Sequence, residues 1–228
     1  MAKIEYGPIA AQVSGSMGGT TFSRNRYGTY FRNKAIPVNP NTPYQQAVRA
    51  NLAARSQEWR GLQDEERRAW ATWSQSNPFI DRLGNSQVLQ PNAAYVRLNA
   101  LLAMSGNSVI TDPPVGDAPL ALATLSFAPD ATAGTCVVTF TPTPLGATEH
   151  LIVNVALCNS TGISYVKNLY KLTEFGAAAT ASLIDIIDGI EERFGTLLVG
   201  QSVHLSCQVL DNATGLVSAP VNEDAVAV

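Results

Sequence analysis

The side chains able to do chemistry are few in this chain, and their spacing limits what they can do. His150 and His204 are its two histidines, and both fall in runs that read as strands, HLIVNVALC and QSVHLSCQVL. A serine or cysteine nucleophile needs such a base, held in turn by a third group. No GxSxG elbow supplies the context, so both are expected to be structural or surface histidines. Cys136, Cys158 and Cys207 lie far apart, include no CxxC pair and are odd in number. Buried free thiols in a reducing compartment are the expectation. Two His and three Cys without ligand spacing predict no zinc site. Asp185, Asp188, Glu191 and Glu192 lack the alternating oxygen-ligand spacing of a calcium loop and are expected on a solvated helical face. No catalytic residue, cofactor or metal is assigned.

Two further features remain. The glycines of SGSMGGT match neither GxxxxGK[ST] nor GxGxxG, and no strand-to-helix context surrounds them, which removes a nucleotide loop. Backbone freedom or close approach of another chain is the plain reading. After them come Phe22, Arg24, Arg26, Tyr27, Tyr30, Phe31, Arg32 and Lys34. Interleaved aromatics and cations have the means to stack on bases and neutralise phosphates, or to fill pockets and meet carboxylates on a protein.

These residues sit in a segment, 1–42, whose glycines, threonines and aromatics suit extended backbone and hairpins. It is too poor in apolar surface to build a core alone and must borrow one. At Thr42 the character changes: a capping hydroxyl, Pro43 at the first helical position and Gln45 in a capping-box position predict a helix. Val48, Leu52, Trp59 and Leu62 lie near one face of it. Asp64, Glu65 and Glu66 open a second helix with charges suited to the positive end of its dipole, carrying Trp70 and Trp73 and ending at Asn77-Pro78. A third is expected from Pro91 to Met104, with Tyr95, Leu98, Leu101 and Leu102 on one face and Gly106 as its stop. Residues 43–111 thus read as a small helical hairpin plus one helix, and 112–119, DPPVGDAP, as a linker.

Residues 120–228 follow a different grammar: LALATLSFA, TCVVTFT, HLIVNVALC, ISYVKNLY, TLLVGQSVHLSCQVL, a DNATG turn and LVSAPV. Alternation and turn spacing predict a β-sandwich of about seven strands, with one or two helical turns within 183–194. The last hairpin resembles that of an immunoglobulin-like or fibronectin type III domain, a likeness of fold that implies no function. The expected class is α+β multidomain: an extended arm, a helical domain and an all-β sandwich.

Charge divides the same way. Residues 1–111 hold 12 Lys/Arg against 6 Asp/Glu, or +6, and residues 112–228 hold 3 against 12, or -9, together giving the net -3. The halves are therefore expected to face different partners. Charged residues are only 14% of the chain, well below the usual quarter, which suits a surface covered by neighbours in an assembly. The N-terminal MAKIEYGPIA has no secretory pattern and no 18-residue apolar run exists, so synthesis in the cytoplasm and no membrane span are expected.

The run VSGSMGGTTFSRNRYGTYFRNKAIPVNPNTPYQQAVR, followed by the tryptophan and ERRAW pattern and NAAYVRLNA, resembles a family of tailed-bacteriophage virion structural proteins across roughly the first 105 residues. The resemblance implies a non-enzymatic virion component. The expectation is a capsid decoration or cement subunit, clamped by residues 1–42 to the major capsid protein and displaying its sandwich, in symmetric multimers. A neck, connector or tail component is the alternative. The stretch RSQEWRGLQDEERRAWATWS also resembles an HMG box, but Glu58, Asp64, Glu65 and Glu66 offset its arginines and lysine is scarce. Nucleic-acid binding through the basic arm is kept as the alternative of another class.

Overall fold

A computed structural model describes residues 2–3, 13–25, 28–36, 38–80, 86–163 and 165–228. The described residues form an α+β protein with four helices and several antiparallel sheets. The chain divides into two compact units, 1–46 and 47–228.

The first unit is a four-stranded antiparallel sheet of β1 (Ala2–Lys3), β2 (Gly15–Met17), β3 (Thr20–Asn25) and β4 (Gly28–Asn33), in the order β1-β4-β3-β2. The strand pattern expected of this segment is present. Helix α1 (Pro43–Gly61) starts where the Thr42 and Pro43 signal put it, and the Gln45 amide donates to Thr42 Oγ1 at 3.3 Å. The return bond of a capping box is missing, since Gln45 Oε1 has no hydrogen-bond partner among the described residues. Leu52, expected on the buried face, is 44% exposed, and no residue of α1 is fully buried. The helix is tied to its neighbours by Asn51 Nδ2 donating to the Ala100 carbonyl at 2.9 Å and by Trp59 against Tyr95.

Helix α2 (Asp64–Ser76) is capped by Gln63, whose amide donates to Glu66 Oε2 at 2.7 Å. It packs on α3 (Pro91–Met104), the span its Pro91 and Gly106 signals predict. Between them lies a short hairpin of β5 (Phe79–Ile80) and β6 (Ser86–Gln87). Trp70 is the centre of this small core: fully buried, edge-on to Trp73 and Tyr95 at 5.6 and 5.5 Å, with Nε1 donating to the Thr111 carbonyl at 2.6 Å. The buried Asn99 pairs with both backbone groups of Ile110, Nδ2 donating to its carbonyl and Oδ1 accepting from its amide. One polar side chain thereby satisfies two backbone groups that burial leaves without water.

The remaining strands are β7 (Thr124–Asp130), β8 (Thr135–Thr141), β9 (Glu149–Cys158), β10 (Lys171–Phe175), β11 (Ile184–Asp185), β12 (Ser202–Asp211) and β13 (Val221–Val226), with α4 (Ile187–Phe194) following β11. They make one sheet in the order β11-β8-β7 and another in the order β10-β9-β12-β13. Both sheets contribute to a single apolar core, Val138 and Phe140 from one and Val155, Val203 and Leu205 from the other. Ile190 of α4 closes it from the side. Gly189 lets that helix approach, because a Cβ there would stand 3.1 Å from the Thr173 carbonyl oxygen.

Three expected strands are shifted: LVSAPV makes only an isolated bridge at Val217 to Leu210, and the last strand begins at Val221. ISYVKNLY contains no strand among its described residues; its Val166 and Tyr170 instead pack on Ala156 and Cys158, covering the outer face of β9. The four-residue spacing of a turn brings both to one side, with the Leu169 amide donating to the Val166 carbonyl. Residues 196–201 of TLLVGQ likewise form a turn, and β12 begins at Ser202.

Candidate interaction surface

Period two in the first sheet divides the arm residues between its faces. Phe22 lies opposite Phe31, and Arg24 opposite Thr29. Gly15 lies opposite Phe22, and Met17 opposite Thr20. Phe22, Arg24, Phe31 and Met17 therefore share one face. Tyr30 opposite Ser23 and Arg32 opposite Thr21 occupy the other, where Ser16 Oγ and Thr21 Oγ1 bond at 2.9 Å. Lys34 follows β4, its amide donating to the Gly19 carbonyl at 2.8 Å. Arg26 and Tyr27 lie outside the described residues. The eight residues expected to act together thus belong to two opposed surfaces, a division that follows from register and not from sequence proximity.

The first face has a thin apolar strip. The Phe22 and Phe31 rings sit 6.3 Å apart and tilted by 43°, a cross-strand contact worth about 0.2–1 kcal/mol. Both are half-buried and Met17 is 73% exposed, so the strip is far from a closed core. Among the described residues Arg24, Arg32 and Lys34 form no salt bridge. Of these, Arg24 shares the face of the half-covered Phe22 and Phe31 and is exposed, a placement suited to receiving a carboxylate or phosphate with an apolar neighbour.

The other candidates for chemistry are accounted for in the second unit. His204 Nε2 lies 3.2 Å from Ser202 Oγ, the contact a nucleophile and base would make. Ser202 is buried at the start of β12, and no carboxylate forms an ion pair with the imidazole among the described residues. Asp224 lies opposite His204 in the β12–β13 register without forming an ion pair with it, so no orienting carboxylate contact is made among the described residues. His150 is buried, with Nδ1 2.9 Å from the Gly176 carbonyl oxygen. All three cysteines are free and buried; burial, aided at Cys136 by the nearby Asp185 carboxylate, pushes the Cys136 and Cys207 thiols up to about 12. Asp185 accepts from the Cys136 and Ile187 amides, and no group of three or more potential ligands gathers for a metal among the described residues. No helix among those residues is long and apolar enough to cross a membrane.

One concavity lies apart from every residue expected to be functional: a cavity of about 230 Å³ lined by Trp73, Phe79, Leu89, Arg97, Leu98 and Leu216, among others. The Arg97 guanidinium lies 4.1 Å over the Phe79 ring. No helical or strand period signals this site, because it forms between α2, α3 and the turn after β12.

No family model matches the chain, and no curated protein matches it. Among solved structures it is similar to an Fn3-like protein from Clostridium thermocellum, at 16% identity and a TM-score of 0.31, over 49% of this chain and 94% of that one.

Proposed function

We propose that this chain is a non-enzymatic structural subunit of a tailed-bacteriophage particle, in the first instance a capsid decoration protein, anchored through the sheet of residues 1–46. The observation that carries the reading is the pairing of Phe22 with Phe31 on a sheet whose Arg24, Arg32 and Lys34 have no salt-bridge partner among the described residues. A sheet with so little apolar surface gains stability by covering that strip with a second surface. The opening run that resembles virion proteins lies in the same segment.

The C-terminal unit supports a display role. Its first, second and fifth strands form one sheet and its third, fourth, sixth and seventh the other. We read this partition over about a hundred residues as an immunoglobulin or fibronectin type III sandwich, a scaffold used widely for cell-surface and adhesive contacts.

Deletion of residues 1–42 is the test. The shortened chain should fold and lose particle association; a folded, still-associated variant would overturn the anchoring role. Mass spectrometry of purified particles then separates the stations: hundreds of copies fit the head, about a dozen fit a neck ring of subunits. Complete absence rejects both. Binding of the full chain to DNA that falls steeply with salt would replace this reading with a nucleic-acid one.

A further inference from the structure

The walls of the cavity beside α3 are each held in place by the fold. Ala94, Arg97, Leu98 and Leu101 stand three and four residues apart and so share one side of that helix. Trp73 of α2 also lines the cavity, and the neighbouring Ser74 hydroxyl donates to the Leu89 carbonyl, which fixes Leu89. Leu216 and Val217 complete the lining from the segment after β12. There the Asp211 amide donates to the Leu216 carbonyl at 3.0 Å, and Val217 bridges to Leu210. Phe79 is held by its pairing with Gln87 in the short hairpin. The cavity is therefore formed by the folded chain itself, as ligand sites commonly are.

Among the described residues this lining is apolar but for Asn77 and Arg97. Trp73, Leu89, Leu101 and Leu216 are only half-buried, so apolar surface is left uncovered beside the cavity. Asn77 Nδ2 is occupied, donating to the Trp73 carbonyl at 2.9 Å. Arg97 is the one charged side chain of the described lining, and it forms no salt bridge among the described residues. It is exposed, so its charge can be reached from solvent. Its guanidinium lies over the Phe79 ring. A guanidinium carries its N–H donors in a planar fork, and stacking on an aromatic face leaves that fork able to take an anion.

We propose that this cavity binds a small aromatic monocarboxylate, its ring among Trp73, Leu89, Leu101 and Leu216 and its carboxylate on the Arg97 guanidinium. Size sets the first limit. A cavity of about 150 Å³ suffices for benzene, and drug-sized ligands take about 300–1,000 Å³. The volume of about 230 Å³ therefore holds one ring with a short acid chain. Charge sets the second limit. One cation balances one negative charge, and a dianion such as a phosphate monoester would bring uncompensated charge against apolar walls. A cationic ligand would be repelled by Arg97, and a neutral ring would leave its fork unused. The site shares no residue with the sheet of residues 1–46 and is independent of the anchoring role.

Titration of the full chain with phenylacetate, followed by ligand-observed NMR and by tryptophan emission, tests this. Saturable binding with a Kd of about 0.1–1 mM is expected for a ligand of this size. Phenylacetamide, which lacks the charge, and acetate, which lacks the ring, should each bind about tenfold or more weakly. Arg97→Gln should bring acid and amide to equal affinity. Arg97 is exposed, so thermal unfolding of that variant should shift little, and its binding of the amide reports that the cavity is still formed. Absence of saturable phenylacetate binding to the wild type overturns the proposal. So do equal affinities of the wild type for acid and amide, acetate binding as tightly as phenylacetate, and an acid preference that survives in Arg97→Gln. Tighter binding of a short acetylated peptide ending in phenylalanine also overturns it, by assigning the site to a polypeptide end.

Discussion

His150 Nε2 lies 3.2 Å from Asn107 Nδ2, while its Nδ1 faces the Gly176 carbonyl oxygen at 2.9 Å. A carbonyl only accepts, so Nδ1 carries the proton and donates, and Nε2 of the neutral ring accepts from the Asn107 amide. Asn212 Nδ2, 3.5 Å away, approaches the same nitrogen. This histidine therefore joins the segment after α3 to β9 and to the β12–β13 turn by a role that requires a donor on one side and an acceptor on the other.

His150→Phe removes both and leaves the Gly176 carbonyl without its side-chain donor in a buried site. The expected loss is about 1–3 kcal/mol in denaturant unfolding. His150→Gln, which keeps a donor and an acceptor, should recover part of it. Equal stability of wild type and the phenylalanine variant would show that the bonds contribute nothing.

Gly215 combines a φ of +71° with Leu98 and Leu102 at 3.2 Å from a would-be Cβ. Gly215→Ala incurs both backbone strain and overlap with α3, an expected cost of about 1–3 kcal/mol. Gly134, also at positive φ but with open space around it, provides the control. Gly134→Ala should cost clearly less in the same thermal melt, and equal losses would remove the role of the α3 contact.

Glu174 has its pKa raised by burial first and then by the charges of Asp188 and Asp185. For an acid whose folded-state pKa exceeds the unfolded one, protonation favours the folded state. The ionised carboxylate therefore lowers stability above the folded pKa, and stability is regained as pH falls through it. Glu174→Gln should melt higher than wild type at neutral pH, with the advantage fading on acidification. A difference that stays constant with pH would contradict this.

Cys136 and Cys207, held up to about 12 by burial, keep their protons near neutral pH, and the thiolate is the reactive form. Cys158 is shielded by burial as well. A disulfide-exchange reagent should find none of the three in the native protein at mildly alkaline pH and all three after unfolding. Rapid labelling of the native chain would place at least one thiol at the surface.

The sequence by itself determined the features that local chemistry controls. Thr42-Pro43, the acidic run from Asp64 and the Pro91 and Gly106 pair mark helix limits because caps act within one turn. Alternation in TCVVTFT and HLIVNVALC located two core strands, since period two assigns each side chain a face before any partner is known. Periodicity says nothing of what lies opposite. That Leu52 stays exposed, that Val166 and Tyr170 cover β9 instead of forming a strand, and that Asn99 holds Ile110 depend on contacts distant in sequence. The same holds for the arm, whose composition named Phe22, Arg24, Tyr30, Phe31 and Arg32 together. Only strand register, set by hydrogen bonds between separate segments, decided that Phe22, Arg24 and Phe31 face one way and Tyr30 and Arg32 the other.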